Sequence, residues 1–168
     1  MTALRHILSI LLLPTTVTLV VPYLIVSSRP AGSGVWPAAT PLGLAAILVG
    51  AVVIAAGLGL ICTTVWQFAT RGRGTLAPWD PPRHLVVAGV YRYVRNPMIS
   101  GVVLILFGET LGLRSLPLLA WALGFLALNM TYIPLLEEPM LEGRFGDEYR
   151  LYKRNVPRWV PRRKGGGR

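Results

Sequence analysis

Charge is scarce in this chain, and acid is scarcer still. Charged residues make up 14% of the 168 residues, where an ordinary soluble domain carries about 25%. Only 7 are acidic, against 17 basic. A domain that must hydrate its whole surface is hard to build from so few charges. There is one cysteine, Cys62, so no intrachain disulfide can form; it lies in an apolar run, where a packed small hydrophobe is expected. The two histidines, His6 and His84, stand far apart. No His/Cys cluster has ligand spacing, and no metal is expected.

What replaces charge is apolar length. Residues 7–28 and 40–70 carry no charge before Arg29 and Arg71; 98–113 is interrupted only by Glu109; 115–138 is uncharged up to Glu137. At about 1.5 Å per residue, the first, second and fourth runs can each cross ~30 Å of hydrocarbon. The third is shorter and predicts an oblique crossing or half of a hairpin. The pattern predicts an all-α, polytopic membrane bundle of about four transmembrane helices. The first run exceeds the h-region of a signal peptide, about 7–15 residues, and is read as an uncleaved anchor.

The net charge of +10 raises the question of nucleic acid, but its distribution answers otherwise. Arg71, Arg73, Arg83, Arg92 and Arg95 lie between the second and third runs, and a second basic group from Arg144 to Arg168 follows the fourth. The other two connections hold only Arg29 and Arg114. This asymmetry predicts both termini in the cytosol, a multi-pass protein of the inner cell membrane, and membrane lipids as partners. Residues 1–161 read as one domain and 162–168 as a basic tail.

Gly43, Gly50 and Gly57 recur at seven-residue intervals and fall on one helical stripe, where a neighbouring helix can approach closely. The third and fourth runs meet at Gly112-Leu113-Arg114-Ser115, which makes them an antiparallel hairpin. Folding about residue 115 brings Glu137 and Glu138 near the level of Arg92 and Tyr93. Adjacent carboxylates at a membrane edge need cationic partners, and Arg92 or Arg95 is positioned to supply one. Met140 to Asn155 reads as a cytosolic amphipathic helix. Asn129 is expected to bond between helices. Glu109 is either a functional intramembrane acid or a structural partner of Arg114.

Two constellations carry chemistry. The first runs from Trp79-Asp80-Pro81-Pro82 through His84-Leu85-Val86 to Gly89-Val90-Tyr91-Arg92-Tyr93-Val94-Arg95-Asn96-Pro97-Met98-Ile99-Ser100-Gly101. The second is Glu137-Glu138-Pro139, then Phe145-Gly146-Asp147-Glu148-Tyr149, Tyr152 and Val156-Pro157. Taken alone, the first suits an interfacial anchor, since Tyr and Arg both favour the headgroup layer. The second, taken alone, suits a solvated helix face.

Together they resemble the integral membrane methyltransferases of the isoprenylcysteine carboxyl methyltransferase and phospholipid methyltransferase group. That family's pattern is Gly-x-Tyr-x-x-x-Arg-His-Pro-x-Tyr-x-Gly, a hydrophobic hairpin, Glu-Glu, then Phe-Gly-x-Glu-Tyr-x-x-Tyr and Val-Pro. The resemblance spans residues 79–161, about half the chain. It implies S-adenosylmethionine as cofactor in a cytosol-facing pocket, touched by His84, Leu85, Val86, Tyr91, Asn96, Pro97, Met98 and Glu137. Arg95 and Glu138 are the candidate catalytic residues, with Arg95 orienting the cofactor carboxylate or the acceptor. Three positions depart from the pattern: Asn96 stands at the family's His, Ile99 at a Tyr, and Ile133 at the substrate-side Arg of the eukaryotic enzymes. Cofactor use is therefore better supported than any one acceptor, and a lipid-like or small membrane-partitioning substrate is expected. The rival readings are a membrane reductase of sterol-reductase-like topology using NADPH, and a non-catalytic membrane subunit.

Overall fold

The computed structural model describes residues 14–28, 30, 37, 39–67, 70, 85 and 87–161. Among these, every regular element is helical. α1 is Thr16–Ser27, α2 Pro41–Gln67, α3 Pro97–Leu113 and α4 Leu116–Phe145; α5 is Asp147–Asn155. α2 and α4 are long and apolar enough to cross a membrane, while α1 and α3 are shorter apolar helices.

The helix boundaries follow from local chemistry. The hydroxyl of Thr40 accepts the Gly43 amide at 3.1 Å, and Pro41 starts α2 where no N–H is required. Pro97 does the same for α3. α3 ends at Arg114 in the left-handed region, φ 52°. Ser115 then caps α4 by accepting the Leu118 amide at 3.3 Å. This two-residue corner makes the hairpin.

α2 and α3 pack through glycine. A methyl group on Gly50 would sit 2.6 Å from the Gly108 carbonyl oxygen, and one on Gly57 would sit 2.6 Å from that of Gly101. The contacts are reciprocal: a methyl on Gly101 or Gly108 would meet the carbonyl oxygen of Gly57 or Gly50 at 2.9 and 2.7 Å. The seven-residue glycine spacing is thus a close backbone approach, and the neighbour it admits is α3. Val102 and Leu106 of α3 and Ala122 of α4 form the buried centre, with Val17, Ile61, Phe107, Trp121 and Phe125 packed around it. The Trp121 indole N–H donates to the Val17 carbonyl at 3.1 Å and ties α1 to the hairpin.

Several expectations change. The helix expected over 139–155 is two pieces. Residues 138–145 continue α4, and Gly146, at φ 55°, breaks the chain before α5. α4 contains a π turn at Ile133–Glu137. Pro134 lies in its first turn and Pro139 just beyond it, and neither has an N–H for a regular α ladder. A second π turn, Thr16–Val20, opens α1 beside Pro22. Asn129 bonds within its own helix, donating to the Phe125 carbonyl at 2.8 Å. Cys62 is exposed on the outer face of α2. Glu109 carries a buried carboxylate oxygen, Oε2, with no hydrogen-bond partner among the described residues.

Candidate active site

The Gly89–Arg92 3-10 turn precedes α3 and is held from several sides. The Tyr91 amide donates to the Ala88 carbonyl at 3.1 Å. The Tyr91 carbonyl accepts the Tyr152 hydroxyl of α5 at 2.7 Å, in a buried bond. The Arg95 amide donates to the Pro157 carbonyl at 3.0 Å, so the segment after α5 lies against the segment before α3. Leu85 packs on the buried cluster of Tyr149, Tyr152 and Val156. The two sequence constellations are therefore in contact through Leu85, Tyr91 and Arg95 of the first. The expected cofactor residues His84 and Val86 lie outside the described residues.

The adjacent acids have separate environments. Glu138 is 2% exposed and meets three cations. Arg95 Nη1 lies 2.9 Å from its Oε1 and Lys153 Nζ 3.2 Å from its Oε2. Arg158 donates from Nε to Oε1 at 2.7 Å and from Nη2 to Oε2 at 3.0 Å, a two-pronged grip. Lys153 also pairs with Glu142 at 2.6 Å. Arg92, the other sequence candidate for this pairing, is exposed. Lys153 and Arg158 were not foreseen as partners. The Val-Pro before Arg158, which turns the chain back, was the available signal.

Glu137 is half-buried and makes no ion pair or hydrogen bond among the described residues. Its charge nevertheless reaches the hydroxyls of Tyr91 and Tyr149, adding to burial in holding both above the ordinary phenol value. Burial, chiefly, pushes the Tyr91 phenol far above its ordinary value, helped by Tyr152 and Glu137, so it stays protonated. Tyr91 is 8% exposed and packs in a small buried cluster with Ala88 and Val90.

Two donors remain unmet here. Asn96 Nδ2 and Arg95 Nε are buried with no hydrogen-bond partner among the described residues. Asn96 directly precedes the buried Pro97 and the half-buried Met98. Its carbonyl is taken by the Ser100 amide at 3.0 Å and the Ser100 hydroxyl at 3.0 Å, which fixes the backbone while leaving the side-chain amide unused. Buried donors without acceptors are rare. An uncommitted carboxylate, two unmet donors and a buried tyrosine suit a zwitterionic, heteroaromatic ligand. No cluster of three or more metal-binding side chains occurs among the described residues.

Comparison with known proteins gives two matches. The family model described as phospholipid methyltransferase matches residues 45–148, from within α2 into α5. A 64-residue stretch is 44% identical to an uncharacterized protein of Haemophilus influenzae (strain ATCC 51907 / DSM 11121 / KW20 / Rd), covering 38% of this chain and all of that protein. No solved structure matches.

Proposed function

The chain belongs to the phospholipid methyltransferase family, and from that membership we propose that it is an integral membrane enzyme. The reaction would carry the methyl group of S-adenosylmethionine to a lipid-like or small membrane-partitioning acceptor at the cytosolic face. The observation that carries this reading is the contrast between the two acids: Glu138 is saturated by three cations, while Glu137 stands uncommitted beside Tyr91.

The residues present fit the cofactor. Glu137 supplies the anion for its ammonium group. Asn96 Nδ2 and Arg95 Nε supply donors for its carboxylate or its ring nitrogens. Pro97, Met98 and Leu85 supply apolar wall. Bound S-adenosylmethionine would supply an activated methyl group: an oxygen, nitrogen or sulfur nucleophile would bond to the methyl carbon in line as the S–CH3 bond breaks, with the neutral thioether S-adenosylhomocysteine as leaving group. A carboxylate close to the sulfur would oppose loss of the sulfonium charge, so Glu137 belongs at the amino-acid end. Glu138 works through Arg95, holding that guanidinium at the site's edge. Much of the rate enhancement would come from positioning.

The membrane setting rests on exposed apolar surface. Of the most apolar stretch of α2, 11% is buried, and 22% of that of α4. A soluble core helix is mostly buried, and outward faces of this kind suit lipid. With the basic connections on one side, the reading has both termini cytosolic.

Calorimetric titration of the full chain in detergent tests the cofactor, with S-adenosylmethionine expected to bind and NADPH not. Binding of NADPH alone would move the reading to a reductase. Incubation with lipid extract and methyl-labelled cofactor, followed by mass spectrometry, identifies the acceptor. Cofactor binding with no labelled product from any extract would favour a non-catalytic subunit.

A further inference from the structure

The glycine contacts fix the register of α2 on α3. Gly50 faces Gly108 and Gly57 faces Gly101, so a step along α2 toward its C-terminal end is matched by an equal step back along α3. Ten residues beyond Gly57, this register brings Gln67 toward the turn that precedes α3.

The side chains confirm this. The Gln67 amide lies between the Ala88 carbonyl and the Val90 N–H, donating to the first and accepting from the second at 3.2 Å. Its orientation follows from these neighbours, since a carbonyl on one side demands the NH2 group and an N–H on the other demands the oxygen. Gly89, between the two bonded residues, has φ +53°, and a Cβ there would lie 2.6 Å from Gln67 Cδ. The amide occupies the space a side chain at residue 89 would need. A cleft of about 450 Å³, lined by Trp66, Gln67, Thr70 and Gly89, opens beside the clamp. Packing alone therefore does not require an amide at residue 67.

We propose that Gln67 is a positioning residue for the cofactor site: its amide clamps the turn on both sides of Gly89 and so sets Tyr91 against Glu137. The functional half of this inference rests on the methyl-transfer reading. The turn is held from the other side by Tyr152 on the Tyr91 carbonyl. Gln67 thus supplies the anchor from α2 and Tyr152 the anchor from α5. Gly89 is required twice, for its positive φ and for the room it leaves.

The test uses the full chain in detergent and two readouts, one of which needs no cofactor. In Gln67→Met, which keeps the bulk and removes both bonds, the Val90 amide loses its acceptor. Hydrogen exchange in the peptide containing residues 88–94 should quicken about tenfold, while exchange within α3 is unchanged. The dissociation constant and KM for S-adenosylmethionine should rise about tenfold, with kcat at saturating cofactor within about twofold of wild type. A lower thermal midpoint with unchanged KM would make Gln67 merely structural and overturn the proposal. Unchanged exchange at the turn would show that no clamp exists. Wild-type protein that binds no S-adenosylmethionine would sink the methyl-transfer reading and the functional role with it, while exchange still decides the clamp. Should Gln67→Met not fold, Gly89→Ala and Gln67→Ala reach the contact from its two sides. The double variant should lose less affinity than the product of the single losses, because truncation of Gln67 removes the clash and leaves only the strain of positive φ. Fully multiplicative losses would overturn the direct contact.

Discussion

Arg158 reaches back twenty residues and grips both carboxylate oxygens of Glu138, at 2.7 and 3.0 Å. The carboxylate is all but sealed from solvent, while Arg158 and Lys153 remain partly exposed. Removing the anion takes the carboxylate from Arg95 and Arg158 in a space shaped around it, while Lys153 keeps Glu142. Breaking a buried pair costs about 3–5 kcal/mol. The exposed partners regain some hydration, so Glu138→Gln should destabilise by about 2–3 kcal/mol. Thermal unfolding in detergent measures this. A variant as stable as wild type would show that the cluster holds nothing together.

Glu137→Gln should behave in the opposite way. Glu137 pairs with nothing among the described residues, so its neutral analogue leaves the fold intact and the thermal midpoint in place. A charge-assisted bond to the cofactor's ammonium is worth about 1.5–3 kcal/mol, and affinity should fall about 10- to 100-fold. Calorimetric titration reads this directly. Equal affinity in Glu137→Gln and wild type would remove the acid from the site.

Much of this arrangement was legible in the sequence, and the reasons are physical. Uncharged length located α2, described from Pro41 to Gln67 within the apolar run expected over 40–70. Glycine periodicity marked a close helix contact, because a seven-residue step is nearly two turns. The hairpin predicted that acid would meet arginine. The pair is Arg95 with Glu138, about a turn deeper than simple reflection places it, with a π turn just before the acids. What remained hidden depends on the third dimension. The return of Pro157 and Arg158 onto Arg95 and Glu138 follows from a bend that no periodicity records. The Gln67 clamp joins two segments whose connection is not itself patterned. Cys62 faces outward; in the proposed membrane setting, apolar residues need not be buried inside the protein.

The glycine register predicts a sharp contrast between neighbours on α2. Gly57→Ala drives a methyl group to 2.6 Å from the Gly101 carbonyl oxygen, which belongs to backbone and cannot swing away. Overpacking of this kind costs about 1–3 kcal/mol. Gly59, two residues on, faces open space within 4 Å, so Gly59→Ala should change stability by no more than about 0.5 kcal/mol. Thermal unfolding of the two variants side by side decides the matter. Equal losses would mean that α2 does not dock on α3 through this stripe.

The buried tyrosines predict how the protein behaves in alkali. Burial above all raises the phenols of Tyr91 and Tyr152 above the ordinary tyrosine value of 10.0. The folded state therefore keeps protons that the unfolded chain releases first. By linkage, the unfolded state binds fewer protons as pH passes about 10, and stability falls with rising pH. The stabilisation is complete below that point and is lost upward through the raised folded values. Tyr152→Phe removes one of these groups and also the bond to the Tyr91 carbonyl. The variant should be less stable at neutral pH by about 1 kcal/mol, yet its stability should decline less steeply above pH 10. Denaturation followed from pH 8 to 11 separates the two effects, since the lost hydrogen bond is an offset and the lost titration is a slope. An unchanged slope would mean that the Tyr152 hydroxyl titrates as it does in water, and that α5 does not seal the turn.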